Sequence, residues 1–199
     1  MACIFWDVDT QIDFMDPNGK LYVPGAEAIV PRLAQLTNWA ARQGILVVAS
    51  ACAHQPGDKE FEQYPQHCIA GTPGQKKISQ TQLVPSSVIP NYPVMEELDD
   101  PYNYAQIILE KQRFDVFSNP NMDEFLQLLG DVDVVLYGVV TEVCVAAAVR
   151  GLLSRGRRVS VVTDAIRYFD KAAGQAAVEE MQRSGARLIT SDAVLRRAA

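Results

Sequence analysis

Histidine is scarce in this 199-residue chain, which carries only His54 and His67. Any imidazole chemistry must therefore recruit from one short stretch. No segment approaches the ~18 to 20 apolar residues that a membrane helix needs. Basic residues are outnumbered, with 18 Lys and Arg against 24 Asp and Glu for a net charge of -6. A nucleic-acid or anionic-membrane surface would need the opposite excess. The one dense basic cluster, Arg150 with Arg155, Arg157 and Arg158, reads as solvated helix ends. The opening Met1-Ala2-Cys3-Ile4-Phe5-Trp6 has no basic leader and no cleavage site, so a cytoplasmic address is expected. There, Cys3, Cys52, Cys68 and Cys144 would be reduced thiols and not a disulfide framework.

What is present is ordinary globular composition, with 48% hydrophobic and 21% charged residues, enough to build one core. Short apolar runs that end in charge, at 3–9, 45–49, 106–111, 132–138, 159–162 and 187–190, read as buried strands. Helical spacing lies between them, at 29–40, 122–129, about 141–154 with Thr141 as its cap, and 171–184. Residues 52–104 hold seven of the eleven prolines and read as long loops that wall a site. Alternating strands and helices predict a single α/β domain over 1–199. Its architecture would be a three-layer α/β/α sandwich around a mostly parallel, Rossmann-like sheet of about six strands.

Sites in such sheets gather at the carboxyl ends of the strands. Asp9, Lys111 and Cys144 all fall there, from three different strands. Cys144 follows Gly138 at a strand-to-helix turn, where free N–H groups and the helix dipole favour thiolate and can stabilise an oxyanion. Each residue also has an ordinary role open to it: Cys144 as a small buried hydrophobe, Asp9 as a cap, Lys111 as a surface cation. Together they supply a nucleophile, a carboxylate to take its proton, and an ammonium to hold that carboxylate ionised.

The blocks around these residues resemble the isochorismatase-like cysteine hydrolases, the group that includes nicotinamidases. Val8-Asp9-Thr10-Gln11-Ile12-Asp13-Phe14 is similar to that family's opening signature, and Pro24-Gly25-Ala26-Glu27 to its next block. His67-Cys68-Ile69-Ala70-Gly71-Thr72-Pro73-Gly74 resembles its HCxxGTxG block, Glu110-Lys111 through Phe117 its lysine block, and Gly138 to Cys144 its nucleophile block. Thr163-Asp164-Ala165 and Leu188-Ile189-Thr190-Ser191-Asp192 also fit. The resemblance implies Asp9 as general base, Lys111 as its electrostatic partner and Cys144 as nucleophile. It also implies a cis peptide at Val139-Val140, with the N–H groups of Val140 and Cys144 forming the oxyanion hole.

The resemblance further implies a divalent metal, such as zinc, held in nicotinamidase-like members by an Asp-x-His pair and further His or Glu ligands. Here Cys52-Ala53-His54 stands at the Asp-x-His position, so the candidate ligands are Cys52, His54, Glu60 and His67. The alternative is that both histidines simply hydrogen-bond to backbone. Phe14, Tyr64, Phe114 and Phe117 match positions that face substrate in relatives, against a reading as ordinary packing. The expected activity is hydrolysis of a small linear amide through a thioester, in a homo-oligomer (dimer or tetramer) with no nucleic-acid or membrane partner. Two alternatives remain: hydrolysis of isochorismate's vinyl ether, for which only Lys59 and Arg113 offer cationic anchors, and a non-catalytic member of the fold.

Overall fold

The computed structural model describes residues 2–94 and 98–196. Seven strands form one all-parallel sheet: β1 (Ala2–Val8), β2 (Val47–Cys52), β3 (Ser86–Ile89), β4 (Gln106–Lys111), β5 (Val132–Val139), β6 (Arg158–Arg167) and β7 (Arg187–Ile189). Their spatial order is β3-β4-β2-β1-β5-β6-β7. The chain leaves β1 toward one edge and returns to β5 on β1's other side, so the order reverses beside β1. That reversal opens a crevice at the carboxyl ends of the central strands.

Helices cover both faces: α1 (Ile12–Met15), α2 (Val30–Arg42) and α6 (Ser191–Leu195) on one, with α3 (Met122–Leu129), α4 (Ala146–Ser154) and α5 (Lys171–Arg183) on the other. The central strands feed both layers by alternation. Ile4, Trp6 and Val8 of β1 pack into the cluster containing Phe125, Val149 and Met181. Phe5 turns to the opposite cluster with Leu33, Leu36 and Val194. This double burial explains why the strands read as continuous apolar runs and not as alternating ones.

Two expectations need correction. The sheet has seven strands, because β3 lies within the region read as irregular. Its four residues sit between Pro85 and Pro90, too short a stretch to show any periodicity. Pro85 nevertheless anchors it, its carbonyl accepting the amides of Ala105 and Gln106. Thr141 does not cap a helix; its hydroxyl donates to the Arg167 carbonyl at 2.8 Å. A π-helical turn over Thr141–Val145 precedes α4.

Gly138 is required where it stands. Its φ of 122° suits glycine, and a Cβ there would lie 2.1 Å from the Val8 carbonyl oxygen. The end of β5 therefore closes tightly on the end of β1, one residue before Asp9.

Candidate active site

Four adjacent strands deliver the candidate site's side chains. Across β4, β2, β1 and β5, the carboxyl ends carry Lys111, Cys52, Asp9 and, in the turn after β5, Cys144. Cys52 and Lys111 are register partners. Asp9 leaves its strand in the left-handed region, at φ 50°, a conformation that an aspartate tolerates better than most residues. Its Oδ2 meets Lys111 Nζ at 2.8 Å, and its Oδ1 accepts the Ser50 hydroxyl at 2.6 Å. Lys111 Nζ also donates to Cys52 Sγ at 3.0 Å and to Cys144 Sγ at 3.5 Å. The Cys52 thiol reaches Asp9 Oδ2 at 3.9 Å. All of these side chains are buried, Cys144 at 5% exposure being the most accessible.

Burial works against the Lys111 ammonium, but the Asp9 carboxylate and the two sulfurs outweigh it and hold its pKa well above that of a free lysine. Burial pushes the Cys144 thiol well up despite the opposing pull of Lys111, and the Asp9 charge adds to the rise. The Cys52 thiol is pushed up to about 12, again chiefly by burial. The strand-to-helix turn was expected to favour thiolate at Cys144; the residue lies instead in a buried π turn beside a carboxylate, where burial opposes that pull.

A second cluster shares Cys52. The ligand atoms of Cys52, His54 and His67 lie within 4.8 Å of one another. His54 Nδ1 is 3.0 Å from the Asp58 carboxylate, and His67 Nδ1 is 2.8 Å from the Pro65 carbonyl. Those partners fix both rings with Nδ1–H donating and the Nε2 lone pair free. The buried His54 Nε2 has no hydrogen-bond partner. Glu60 Oε1 stands 3.8 Å from His54 Nε2 and 3.6 Å from His67 Nε2. All four predicted ligands therefore converge. A thiol, two oriented imidazoles and a carboxylate around an orphaned ring nitrogen form a donor set that fits zinc. Backbone hydrogen bonding, the alternative for the histidines, uses only one nitrogen of His67.

The sequence carries the same assignment. A family model described as "Isochorismatase domain" matches residues 2–193. The chain belongs to the isochorismatase family. Its fold is similar to that of the pyrazinamidase of Pyrococcus horikoshii solved in complex with zinc, at 25% identity and a TM-score of 0.79, covering 96% of this chain and 99% of that one. It is also similar to N-carbamoylsarcosine amidase from Thermoplasma acidophilum, at 25% identity and a TM-score of 0.75, covering 96% and 98%. A probable inactive nicotinamidase of Arabidopsis thaliana is 28% identical over 159 residues, 79% of this chain and 76% of that protein. By family and neighbours, this is an isochorismatase-like hydrolase.

Within this family member, a cavity of about 10 Å³ adjoins Cys144, and Phe14, Tyr64 and Phe114 line it as expected. Phe117 does not. Its ring stacks on Trp6 at 6.3 Å and lies against Gly151 of α4, with the Arg155 guanidinium 4.2 Å from its centroid. Three residues past Phe114, it has already turned into the core. A larger open cleft of about 980 Å³, with Gln112, Arg113 and Arg150 in its walls, lies outside the cavity.

Sequence reasoning missed three contributors to the site. Ser50 orients Asp9, and its place two residues before Cys52 on one strand put it on the same face. Gln11 clamps the Cys52 backbone, its Oε1 accepting the Cys52 amide at 2.7 Å and its Nε2 donating to the Cys52 carbonyl at 2.8 Å. Phe169, in the cavity wall, gave no local signal because it comes from a loop more than fifty residues beyond the other rings. The Val139–Val140 peptide is cis.

Proposed function

We propose that this hydrolase cleaves a small linear amide through a covalent thioester on Cys144. The observation that carries the reading is the convergence of Asp9, Lys111 and Cys144 around one ammonium, at 2.8 Å and 3.5 Å, away from bulk water. Asp9 takes the thiol proton as Sγ attacks the carbonyl carbon, and the carbonyl electron pair moves to oxygen. Lys111 stabilises both the carboxylate before transfer and the developing negative charge on sulfur. The N–H groups of Val140 and Cys144 receive the oxyanion. When the tetrahedral adduct collapses, the C–N bond breaks and the Asp9 proton goes to the leaving nitrogen, releasing ammonia or an amine. Asp9 then deprotonates water, which attacks the thioester; the acid leaves and the proton returns to Cys144.

Cys52, His54 and His67, with Glu60, would hold a zinc ion beside this centre. When bound, such an ion supplies a positive charge that polarises or orients a substrate donor atom. The chain's own residues suit that role: Asp58 and the Pro65 carbonyl keep the imidazoles oriented, and Gln11 fixes the Cys52 backbone.

The test is an ammonia-release screen over small amides, run with and without a chelator, with the Cys144→Ala variant alongside. Ammonia release that disappears in Cys144→Ala is expected; full turnover by that variant sinks the mechanism. A non-catalytic reading is favoured by one observation, the thiol at Cys52 in a cluster that the nicotinamidase-like pattern builds on aspartate. Silence across the amide panel together with a Cys144 inert to iodoacetamide would select it.

A further inference from the structure

The cavity beside Cys144 is the narrow part of the site, at about 10 Å³. The much larger cleft of about 980 Å³ lies immediately outside, and Tyr64 and Phe114 line both spaces. Behind them Phe169 completes the wall, stacked on Tyr64 at 6.5 Å with 27° between planes, while Tyr64 meets Phe114 edge-on at 5.8 Å. These three rings come from three separate segments, so one can move without dragging the others.

The way Phe169 is held singles it out. It lies between the end of β6 and Asp170, the cap of α5. Its amide and that of Asp170 both donate to one oxygen, Glu142 Oε1, at 2.8 Å and 2.9 Å. The other oxygen, Glu142 Oε2, is buried and has no partner. Such a half-satisfied carboxylate is a weaker tie than one with both oxygens bonded, because its release lets a desolvated acceptor regain water. Glu142 also lies in the same π turn as Cys144, two residues before it. We propose that Phe169 is the moving leaf of an aromatic gate over Cys144, and that Glu142 is the positioning residue that latches the leaf shut. Access to the thiol is then decided by the tie between residue 142 and the 169–170 backbone.

This inference rests on the proposed nucleophile only for its meaning in turnover, and its test does not require hydrolysis. Cys144 modification is followed by mass spectrometry of its peptide, with iodoacetamide as the small reagent and a fluorescein maleimide as the bulky one. In Phe169→Ala and in Glu142→Ala the bulky reagent should gain about tenfold in rate, while the small one changes less than about threefold. Glu142→Gln should stay near the unmodified protein, because its amide oxygen still accepts both backbone N–H groups. A bulky-to-small ratio unchanged by Phe169→Ala overturns the gate, as does an equal rise for both reagents, which marks a loosened fold. If Glu142→Gln behaves like Glu142→Ala, the latch is refuted. Failure of ammonia release in a protein whose thiol is gated refutes the amidase reading alone.

Discussion

Replacing Lys111 with methionine isolates the buried ion pair at the centre of the site. The side chains are close in length, so packing is largely kept while the charge is lost. Asp9 is 1% exposed and would keep only the Ser50 hydroxyl and the sulfur contacts. Removing one partner of a buried pair usually costs about 3 to 5 kcal/mol, since the remaining charge is uncompensated. For a chain of this size, each kcal/mol corresponds to roughly 2 to 4 °C, so the melting temperature should fall by about 10 °C. Asp9→Asn combined with Lys111→Met removes both charges and should return stability to within about 1 kcal/mol of the starting protein. Urea unfolding of all four members of the cycle measures this, and ammonia release should be absent from the double variant despite its recovered stability. A Lys111→Met variant destabilised by under about 1 kcal/mol, or a double variant no better than the single, would refute the buried-pair argument.

Other consequences are more local. Because burial raises the Cys144 thiol, its alkylation by iodoacetamide should still be climbing from about pH 7 to about pH 10, with no plateau near neutrality. The same shift has a sign for stability. A thiol whose folded pKa is raised binds its proton more tightly in the native state, so its contribution is full below the unfolded value and declines as pH rises past about 9, which urea titrations at several pH values would detect. Gly138→Ala places a Cβ 2.1 Å from the Val8 carbonyl oxygen and should cost about 3 kcal/mol or more, read by thermal unfolding; a neutral result would show that β5 need not close on β1. Ser50→Ala leaves one Asp9 oxygen without its hydroxyl donor and should lower stability by about 1 to 3 kcal/mol, with reduced turnover of any amide substrate found.

Much of the architecture could be read directly because a doubly covered parallel sheet leaves long apolar runs. The strands ending near Val8, Lys111 and Val139 were each marked by a charged residue or a glycine at the edge of the run. Strand-end logic then brought Asp9, Lys111 and Cys144 into one crevice, and the structure does bring them together. β3 was not legible because four residues between prolines carry no period. Phe117 was misplaced because a motif position says nothing about which way a side chain turns after a loop. The balance at the Cys144 thiol was only half legible. A local turn suggests thiolate, but burial depth and a neighbouring carboxylate, which only tertiary structure supplies, decide the balance. Cys52 was considered only as a ligand; its closer contact with Lys111 depends on a register between β2 and β4 that sequence does not encode locally.

The candidate site's side chains hang from the ends of neighbouring strands, whose separation is fixed by backbone hydrogen bonding at roughly 4.8 Å per step. The rings that screen them belong to segments outside the sheet. Substitutions in those segments can therefore reshape the cavity wall without altering the spacing of the side chains beneath it. The converse does not hold: a register slip of one residue between β2 and β4 would separate Cys52 from Lys111 and turn alternate side chains to the opposite layer. The sheet is in this sense a ruler for the site, and the cavity wall is set separately from it.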